Sequence, residues 1–432
     1  MSNKKKLKAV SIMLLLISIA LVLLMIASVL GGCTTFDNFK KTFVDKQVVG
    51  DDNTITIGIY EPSSGEFKEQ GEEEIRGIEL ANSIYSNVNG IKIKLVRVDN
   101  QSDVNSAKGA IQNLIKMKPA VILGSAGEAN SMVASPYIEA AKIPTITPSA
   151  VNPLITENNK YYFRASITES QRGAGLAEYV YSVLGSRKIA TISMKNDSAN
   201  TAMQRGFNFN ISELEQGTSG DSPGVSSIVY QKAVDVDFES YGKLVKSIKK
   251  SDADVVVVPF GAENSDKLFS EIEKENLEKK ITFVGSSNLN NEDFIAMMKS
   301  HPKIKVVFPS DSVFSGGKTT TKSVTAETQR FIIEYAKKYG NDSEPTSNAA
   351  LGYDSYLLAI NAINRANSKK PKDIRKALAE LSNVRGATGV FTFDEYGNPI
   401  KSVNLSTIKS GKVISLYVTN DKTTAENMGK IK

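Results

Sequence analysis

The stretch Thr54–Ser86, TITIGIYEPSSGEFKEQGEEEIRGIELANSIYS, predicts a buried strand that is followed by an amphipathic helix. Residues 54–60 are almost all apolar or β-branched, which is typical of a parallel strand whose sheet is covered on both faces. The residues after Glu69 place an apolar stripe at helical spacing, formed by Ile75, Ile78, Leu80 and Ala81. A strand and a helix joined by a short polar loop are the repeating unit of a wound α/β sheet.

The same unit recurs along the chain. Short apolar runs alternate with helix-length amphipathic stretches as far as Thr147, and the pattern restarts after a break at residues 161–168. This alternation predicts parallel strands that are joined by crossover helices. The chain closes with strands at Val403–Ile408 and Val413–Val418, which predict an antiparallel hairpin. We therefore expect an α/β fold with two doubly wound parallel-sheet lobes.

The composition excludes several classes of protein. The chain has 432 residues, which is enough for two domains of ordinary size. Four of its +6 formal charges come from lysines within the first eight residues, and the remainder is near neutral, so we expect no nucleic-acid partner. One cysteine and one histidine exclude a disulfide framework and metal sites built from clusters of these residues. We expect no metal and no cofactor, and we predict that His301 is an exposed residue at a helix end.

The N-terminus has the pattern of an export signal. A basic patch at Lys4–Lys8 precedes a long apolar run, which is the order of a secretory signal. The ending Leu30-Gly31-Gly32-Cys33 resembles the bacterial lipobox, in which the cysteine becomes lipid-modified and N-terminal. We predict a signal peptide at 1–32, lipidation of Cys33 and a tether at 33–52. The alternative is an uncleaved membrane anchor, because the run is also long enough to span a bilayer; both alternatives place the body of the chain outside the cytoplasmic membrane.

Ligands of wound sheets bind at the carboxyl ends of the strands, so the loops at these ends are the candidate site. They are rich in Ser, Asn, Gly and Glu, and several lead into helices. The loop residues that we predict to contact a ligand are Ser64, Ser125, Gly127, Glu128, Asn130, Ser149, Ala150, Val151, Asn196, Ser198, Phe260, Ser287 and Asn288.

Two motifs resemble catalytic or phosphate-binding sequences without matching them. The segment Ser312–Thr319 lacks the first glycine of a phosphate-binding loop. The segment Gly124–Gly127 lacks the spacing of a nucleophile elbow, and we interpret it as a strand-to-helix turn. No set of residues forms a catalytic constellation, so we predict that the protein is not an enzyme.

The order of motifs resembles the type I periplasmic-binding-protein superfamily, and within it the leucine/isoleucine/valine-binding protein family. The resemblance covers roughly residues 53–420 and depends on segments at Ile57–Gly65, Ala120–Gly124, Ile143–Ala150, Phe163–Ser166 and Gly386–Asn398, with Gly71 and Gly77 after the first. It implies two lobes that are joined by a three-crossing hinge, with the ligand cleft between them. The crossings implied by the resemblance are Ala165–Thr168, Pro309–Ser312 and Gly389–Thr392. The corresponding limits are 53–165 plus 310–389 for lobe one, 166–309 plus 390–420 for lobe two, and 421–432 for a tail.

The site departs from the pattern of that family. The resemblance implies a serine hydroxyl for the ligand carboxylate where this chain has Glu128, and a threonine where it has Val151. It implies an acid at the first crossing, retained as Glu169, whereas the acid and the aromatic wall of lobe two are replaced by Ser287 and Ser198. A carboxylate at a carboxylate site is unfavourable because like charges repel. We therefore expect a ligand with a positive group or without a free carboxylate, unless Glu128 points to solvent at the start of a helix.

The function implied by the resemblance is that of an extracytoplasmic solute-binding lipoprotein of an ABC importer. Such a protein captures an amino acid or a related small polar ligand by hinge closure and presents it to the permease as a monomer. Two alternatives stay open: an extracellular ligand-sensing receptor subunit, and a degenerate binding protein with a structural or adhesion role. The fold alone does not distinguish among them.

Overall fold

A computed structural model describes residues 54–219, 226–310, 314–315, 318–319, 325–341 and 343–419. The described chain divides into a small unit, residues 54–55 with 84–93, and a large unit that contains the rest. The small unit holds a short antiparallel hairpin in which Val88 pairs with Ile91. The large unit holds the sheets and the site. No described helix combines the length and the apolar character that crossing a membrane requires.

Four neighbouring strands of the first sheet pair in parallel, in the order expected of a wound fold. In the large unit the order is β3-β1-β4-β5-β6, with Ile57 paired to Val121 and Ile146 to Phe163. The strands up to residue 164 are β1 (Thr54–Glu61), β2 (Asn87–Val88), β3 (Ile91–Asp99), β4 (Val121–Leu123), β5 (Thr145–Thr147) and β6 (Tyr162–Arg164). Of these, β2 is the first strand of the small hairpin. The strand β4 is entirely buried, because the sheet is covered on both faces.

The second sheet has a parallel centre and an antiparallel edge, in the order β18-β17-β11-β10-β9-β7-β8. Its strands are β7 (Ile189–Met194), β8 (Ile228–Val234), β9 (Val255–Val257), β10 (Thr282–Val284), β11 (Lys305–Ser310), β17 (Asn404–Lys409) and β18 (Lys412–Val418). Val255 and Val257 pack in one hydrophobic cluster, whereas Val256 and Val258 pack in the other. Successive side chains of a strand point to opposite faces, so both faces of this sheet carry a core. The pairing of β17 with β18 confirms the predicted hairpin.

Short strands outside the two main sheets are β12 (Phe314–Ser315), β13 (Lys318–Thr319), β14 (Val384–Gly386), β15 (Gly389–Phe393) and β16 (Pro399–Ile400). The helices are α1 (Lys68–Ile84), α2 (Val104–Lys116), α3 (Glu128–Ala141), α4 (Leu154–Glu157), α5 (Glu169–Glu178), α6 (Ser198–Ser219), α7 (Tyr241–Ser251), α8 (Ala262–Lys274), α9 (Glu292–Met297), α10 (Ala326–Tyr339), α11 (Ser347–Ala366) and α12 (Pro371–Ala379).

Capping side chains fix the starts of several helices, since a side-chain oxygen before the helix satisfies a free N–H group. Thr168 forms a capping box with Gln171 before α5, and Thr346 accepts a hydrogen bond from Ala349 before α11.

The helices α1 and α11 pack at very short range beside the first sheet. A Cβ atom on Gly77 of α1 would lie 1.8 Å from the carbonyl oxygen of Ala349, and one on Gly352 would lie 2.0 Å from that of Glu74. Only glycine permits this backbone approach. The contact fixes the position of α1, which carries site residues on its first turns.

The third crossing predicted at Gly389–Thr392 falls within the strand β15, which pairs with β14 and β16. The ring of Phe393 in this strand packs edge-on against Phe163 of the first sheet, at 5.3 Å between centroids. The strand after β16, β17, belongs to the second sheet. We therefore propose that the third crossing lies at residues 401–403, and the other lobe limits remain predictions.

The prediction for His301 is wrong, because its side chain is only 4% exposed. Its two ring nitrogens lie 3.0 Å from Asp266 Oδ1 and 3.0 Å from Glu273 Oε2, and its ring packs edge-on against Phe269. These three partners project from one face of α8 because they are spaced at helical intervals. The turn after α9 folds back onto that face, which the local sequence does not reveal.

Candidate functional site

A cavity of about 330 Å³ lies at the carboxyl ends of β1, β4 and β5. Three segments form its wall: the loop after β1 with the first turn of α1, the start of α3, and the loop after β5. The lining residues are Phe67, Gln70, Gly127, Glu128, Ala129, Ser149 and Ala150. Four of them, Gly127, Glu128, Ser149 and Ala150, are site residues that the sequence predicted. The cavity is therefore at the sheet edge where wound folds bind ligands.

The turn into α3 shapes one side of the cavity. Gly127 has a φ of +82°, and a Cβ atom there would lie 2.9 Å from the ring of Phe67. Glycine is thus required both for the backbone angle and for the close approach. Glu128 follows as the first residue of α3 and is half-buried in the cavity wall. An acid at this position is favoured by the helix dipole, and it also places a carboxylate beside the cavity.

Two predicted site residues of this turn support the loop from inside. The Ser125 hydroxyl accepts from Asn100 Nδ2 at 2.7 Å and donates to the carbonyl of Ala126 at 2.6 Å. Asn130 Nδ2 donates to Asn100 Oδ1 at 2.9 Å. Both side chains are buried and fall outside the lining of the cavity. Their polar groups hold the turn in place because buried polar groups require partners.

Two buried glutamates behind the wall were missed by the sequence interpretation. Glu61, at the end of β1, accepts a hydrogen bond from the backbone amide of Ala126 at 2.6 Å. Glu74, on α1, accepts from the Ser149 hydroxyl at 2.5 Å and from Gln70 Nε2 at 3.1 Å. Glu74 lies four residues before Ile78, so it falls on the apolar stripe of the helix. A charged residue at such a position is the sequence signal that could have predicted a buried glutamate.

Burial sets the ionisation of this pair. Loss of solvent and the neighbouring charge of Glu74 raise the pKa of Glu61 well above its usual range. Burial raises the pKa of Glu74 to about 7, against hydrogen bonds from Ser149 and Gln70 that favour its ionised form. Two neighbouring carboxyl groups in one buried site cannot both ionise easily. The carboxyl group of Glu74, behind Ser149, therefore titrates near neutral pH.

A buried arginine holds the loop after β5. Arg164 is fully buried and donates to the carbonyl of Ala150 at 3.0 Å and to that of Asn152 at 2.7 Å. Burial lowers its pKa to about 10, so it stays charged at neutral pH. The loop also contains Val151, which is half-buried. Arg164 thus positions the loop that presents Ala150 to the cavity.

The predicted residues of the second lobe are only partly brought together. The Ser287 hydroxyl donates to Glu169 Oε1 at 3.2 Å, and Arg172 Nε lies 3.3 Å from the same oxygen. Phe260 is buried in the core, where its ring packs edge-on against Tyr241.

The remaining predicted residues have separate positions. Asn196 is exposed in the left-handed region with a φ of 60°, and Asn288 is exposed after β10. Ser198 begins α6, and its side chain lies outside the described residues. Ser64, in the loop after β1, donates to Asp99 Oδ2 at 2.9 Å. The predicted lipidation residue, Cys33, also lies outside the described part of the chain.

Comparison with known proteins agrees with this geometry. The family model described as periplasmic binding protein matches residues 54–412. An amino acid binding protein of Pseudomonas aeruginosa is 27% identical over 207 residues, which cover 47% of this chain and 52% of that protein. The chain thus spans about half the length of this relative. The Leu/Ile/Val-binding protein homolog 3 of Brucella melitensis is 21% identical, over 84% of this chain and 93% of that protein.

A solved structure shows the same fold. The substrate binding protein LivJ of a branched-chain amino acid transporter from Streptococcus pneumoniae, in complex with isoleucine, is 26% identical with a TM-score of 0.63. The alignment covers 85% of this chain and 99% of that one. The fold and the site define a small-molecule binding protein of the two-lobed α/β class. The chain belongs to the periplasmic binding protein family, as a type I member of the Leu/Ile/Val-binding group. Both the predicted family and the predicted fold class are confirmed.

Proposed function

We propose that this protein is the solute-binding component of an ABC importer, tethered outside the cytoplasmic membrane by a lipid on Cys33. It captures an amino acid or a related small polar ligand between its lobes by hinge closure, without making or breaking a bond. The closed form then docks as a monomer on the permease. The observation that supports this best is the cavity of the first lobe, which lies where wound sheets bind ligands in a chain of the periplasmic binding protein family.

The wall of the cavity favours a ligand with a positive group or without a free carboxylate. Glu128 lines the cavity at the start of α3, and Val151 supplies no hydroxyl in the loop after β5. A ligand carboxylate at this position would face a like charge, which a closed, water-excluding cleft would strengthen. Phe67, Ala129 and Ala150 give the same cavity an apolar part. The ligand therefore combines a polar donor group with a small apolar body.

The acidic residue of the second lobe is consistent with this ligand class. Glu169 is buried at the start of α5 and is bonded to Ser287 and Arg172. We propose that closure brings this cluster to the ligand, where Glu169 and Ser287 complete the binding site. The first lobe would then bind the ligand initially and the second lobe would retain it.

The test begins with the ligand that co-purifies with the protein, identified by mass spectrometry after denaturation. A thermal-shift panel of amino acids, amines, amides and small sugars then ranks ligand classes. A ligand at one hundred times its Kd stabilises the folded state by about 2.7 kcal/mol, which is a shift of several degrees for a unit of this size. We expect stabilisation by amines or amino amides. Equal stabilisation by leucine, isoleucine or valine that is undiminished in Glu128→Gln would contradict the proposed ligand class.

A further inference from the structure

The hydrogen bonds of Ser149 have a direction that decides what it can offer a ligand. A serine hydroxyl has one hydrogen to donate and two lone pairs that accept. Ser149 Oγ donates its hydrogen to Glu74 Oε1, with 2.5 Å between the two oxygens. One of its lone pairs accepts from Gln70 Nε2, which lies 2.6 Å from Oγ. The capacity that remains at this oxygen is one lone pair. Ser149 therefore faces the cavity as an acceptor.

The amide of Gln70 has the same polarity. Its nitrogen donates to Ser149 Oγ and to Glu74 Oε1. The nitrogen must face these atoms because both are oxygens, and the amide oxygen would be repelled by the carboxylate. The group left for other partners is the amide oxygen, which accepts. Two of the polar side chains that line the cavity are thus turned into acceptors by one carboxylate behind them.

Glu61 explains why Glu74 can remain an acceptor although it is buried. Each glutamate has one buried oxygen that lacks a protein donor, Oε1 in Glu61 and Oε2 in Glu74. One proton shared between the two groups would satisfy both oxygens. The neighbouring charge of Glu74 and the burial of both groups favour one negative charge over two. With the proton on Glu61, Glu74 keeps the charge that accepts from Ser149 and Gln70.

Other charged and titratable groups act on this pair. Arg97 of β3 favours the ionised form of Glu61, and Glu73 opposes that of Glu74. Burial raises the pKa values of Tyr60 and Tyr162, and the negative charge of Glu61 raises them further. Glu128 adds a further negative charge across the cavity. Among these groups, Glu74 is the one that is bonded directly to the lining residues Ser149 and Gln70.

We propose that Glu74 is a positioning residue that, through Ser149 and Gln70, makes this wall of the cavity accept hydrogen bonds only. The cavity then selects a ligand group that donates, an ammonium or a neutral amide, over a carboxylate. Protonation of Glu74 releases the hydrogen of Ser149, so carboxylates are admitted as the pH falls below neutral. This inference rests on the proposed function, in which the cavity binds the ligand.

The experiment uses three probes with one ring and different charge: benzylamine, benzamide and benzoate. Their affinities for the full-length protein are measured by calorimetry and thermal shift from pH 5.5 to 8.5. At pH 8 we expect benzylamine to bind roughly tenfold or more tightly than benzoate, since a charge-assisted hydrogen bond contributes about that factor. Benzoate binding should strengthen as the pH falls through neutral.

The variant Glu74→Gln should reduce the preference for benzylamine by about tenfold and remove the pH dependence of benzoate binding. The matched control is Glu73→Gln, which removes a neighbouring charge from the same helix. Glu73 is bonded instead to Thr346 Oγ1 at 2.7 Å and to Asn348, so this control should keep the preference. It should also keep a pH dependence, with a midpoint that moves slightly to lower pH because one like charge near Glu74 is lost. Glu74→Asp, which keeps the acceptor, should restore part of the preference.

An unchanged preference in Glu74→Gln, or an equal change in Glu73→Gln, would overturn the inference and leave the proposed function standing. If Glu74→Gln does not fold, the affinities of Ser149→Ala for benzylamine and benzoate test the inference instead. We expect this variant to weaken benzylamine and leave benzoate unchanged at pH 8, whereas loss of benzoate binding would show that Ser149 donates to the ligand. Absence of binding by any probe to the wild type at every pH would count against the proposed ligand site as well as this inference.

Discussion

Asp354 accepts two hydrogen bonds from Thr388, one from the backbone amide at 2.9 Å and one from the hydroxyl at 2.6 Å. Asp354 is fully buried in α11, and its other oxygen accepts from the amide of Ala387. Lys401 Nζ donates to the same hydroxyl of Thr388 at 2.8 Å. The carboxylate of Asp354 therefore anchors the turn between β14 and β15. Through the hydroxyl of Thr388 it also holds Lys401, the residue at which the proposed third crossing begins.

Replacing Asp354 by alanine should destabilise the protein by about 3 kcal/mol, because several buried donors lose their acceptor. Asp354→Asn keeps one acceptor oxygen and should cost less. Urea unfolding followed by circular dichroism measures the difference. The control is Asp373→Ala on α12, an exposed carboxylate bonded to Ser368, where a small effect is expected. A loss in Asp354→Ala no larger than in this control would contradict the anchoring role.

The free energy of unfolding should fall as the pH rises from 5 to 8. Burial raises the pKa of Asp354 from its ordinary value of 3.8 to about 6 and that of Glu74 from 4.5 to about 7. A raised carboxyl pKa means that the folded state binds the proton more tightly than the unfolded state. The stability from this proton is complete below the ordinary value and is lost as the pH rises through the folded pKa.

Chemical unfolding at several pH values tests this slope. Glu74→Gln removes one of the two titrating groups, so its stability should vary less with pH between about 4.5 and about 7 than that of the wild type. An identical pH profile for the variant would show that Glu74 does not carry the predicted proton. Glu79→Gln, which changes an exposed glutamate of the same helix, is the control that is matched in charge, and its pH profile should resemble that of the wild type.

The variant Cys33→Ser should block lipidation, and the protein should be released, mislocalised or left unprocessed. The reason is the order of the basic patch, the apolar run and Leu30-Gly31-Gly32-Cys33. Membrane fractionation and intact-mass measurement check this outcome. Unchanged mass and unchanged membrane association would favour the uncleaved anchor.

The double variant Glu128→Ser and Val151→Thr should increase the affinity for leucine or isoleucine by at least about tenfold, since it removes a like charge and supplies two hydroxyl donors. Isothermal titration calorimetry is the measurement. The control is Glu139→Ser, an exposed acid near the end of the same helix α3, which should leave the affinity unchanged. Equal gains in both variants would mean that net charge, and not the cavity wall, determines the preference.

The hydrophobic pattern determined the fold class and most of its elements. The hairpin strands predicted at Val403–Ile408 and Val413–Val418 lie within one residue of the observed strands Asn404–Lys409 and Lys412–Val418, because strand and turn patterns are local properties. The loops that line the cavity were identified for the same reason: the carboxyl end of a parallel strand is known once the strand is known. Phe67 lies in one of those loops and Gln70 lies in the first turn of the helix that follows it, although the sequence did not single them out.

The tertiary structure decided which side chains meet. Glu74 and Ser149 are 75 positions apart, Glu61 and Ala126 are 65 apart, and Asp354 and Thr388 are 34 apart. Such pairs depend on how crossover helices return each strand to the sheet, and no local spacing encodes that path. His301 differs from its prediction for the same reason, since its partners on α8 come close only after the chain turns back. The sequence alone thus identified loops that line the cavity, whereas long-range packing decided that a buried, titrating carboxylate lies behind the wall of that cavity.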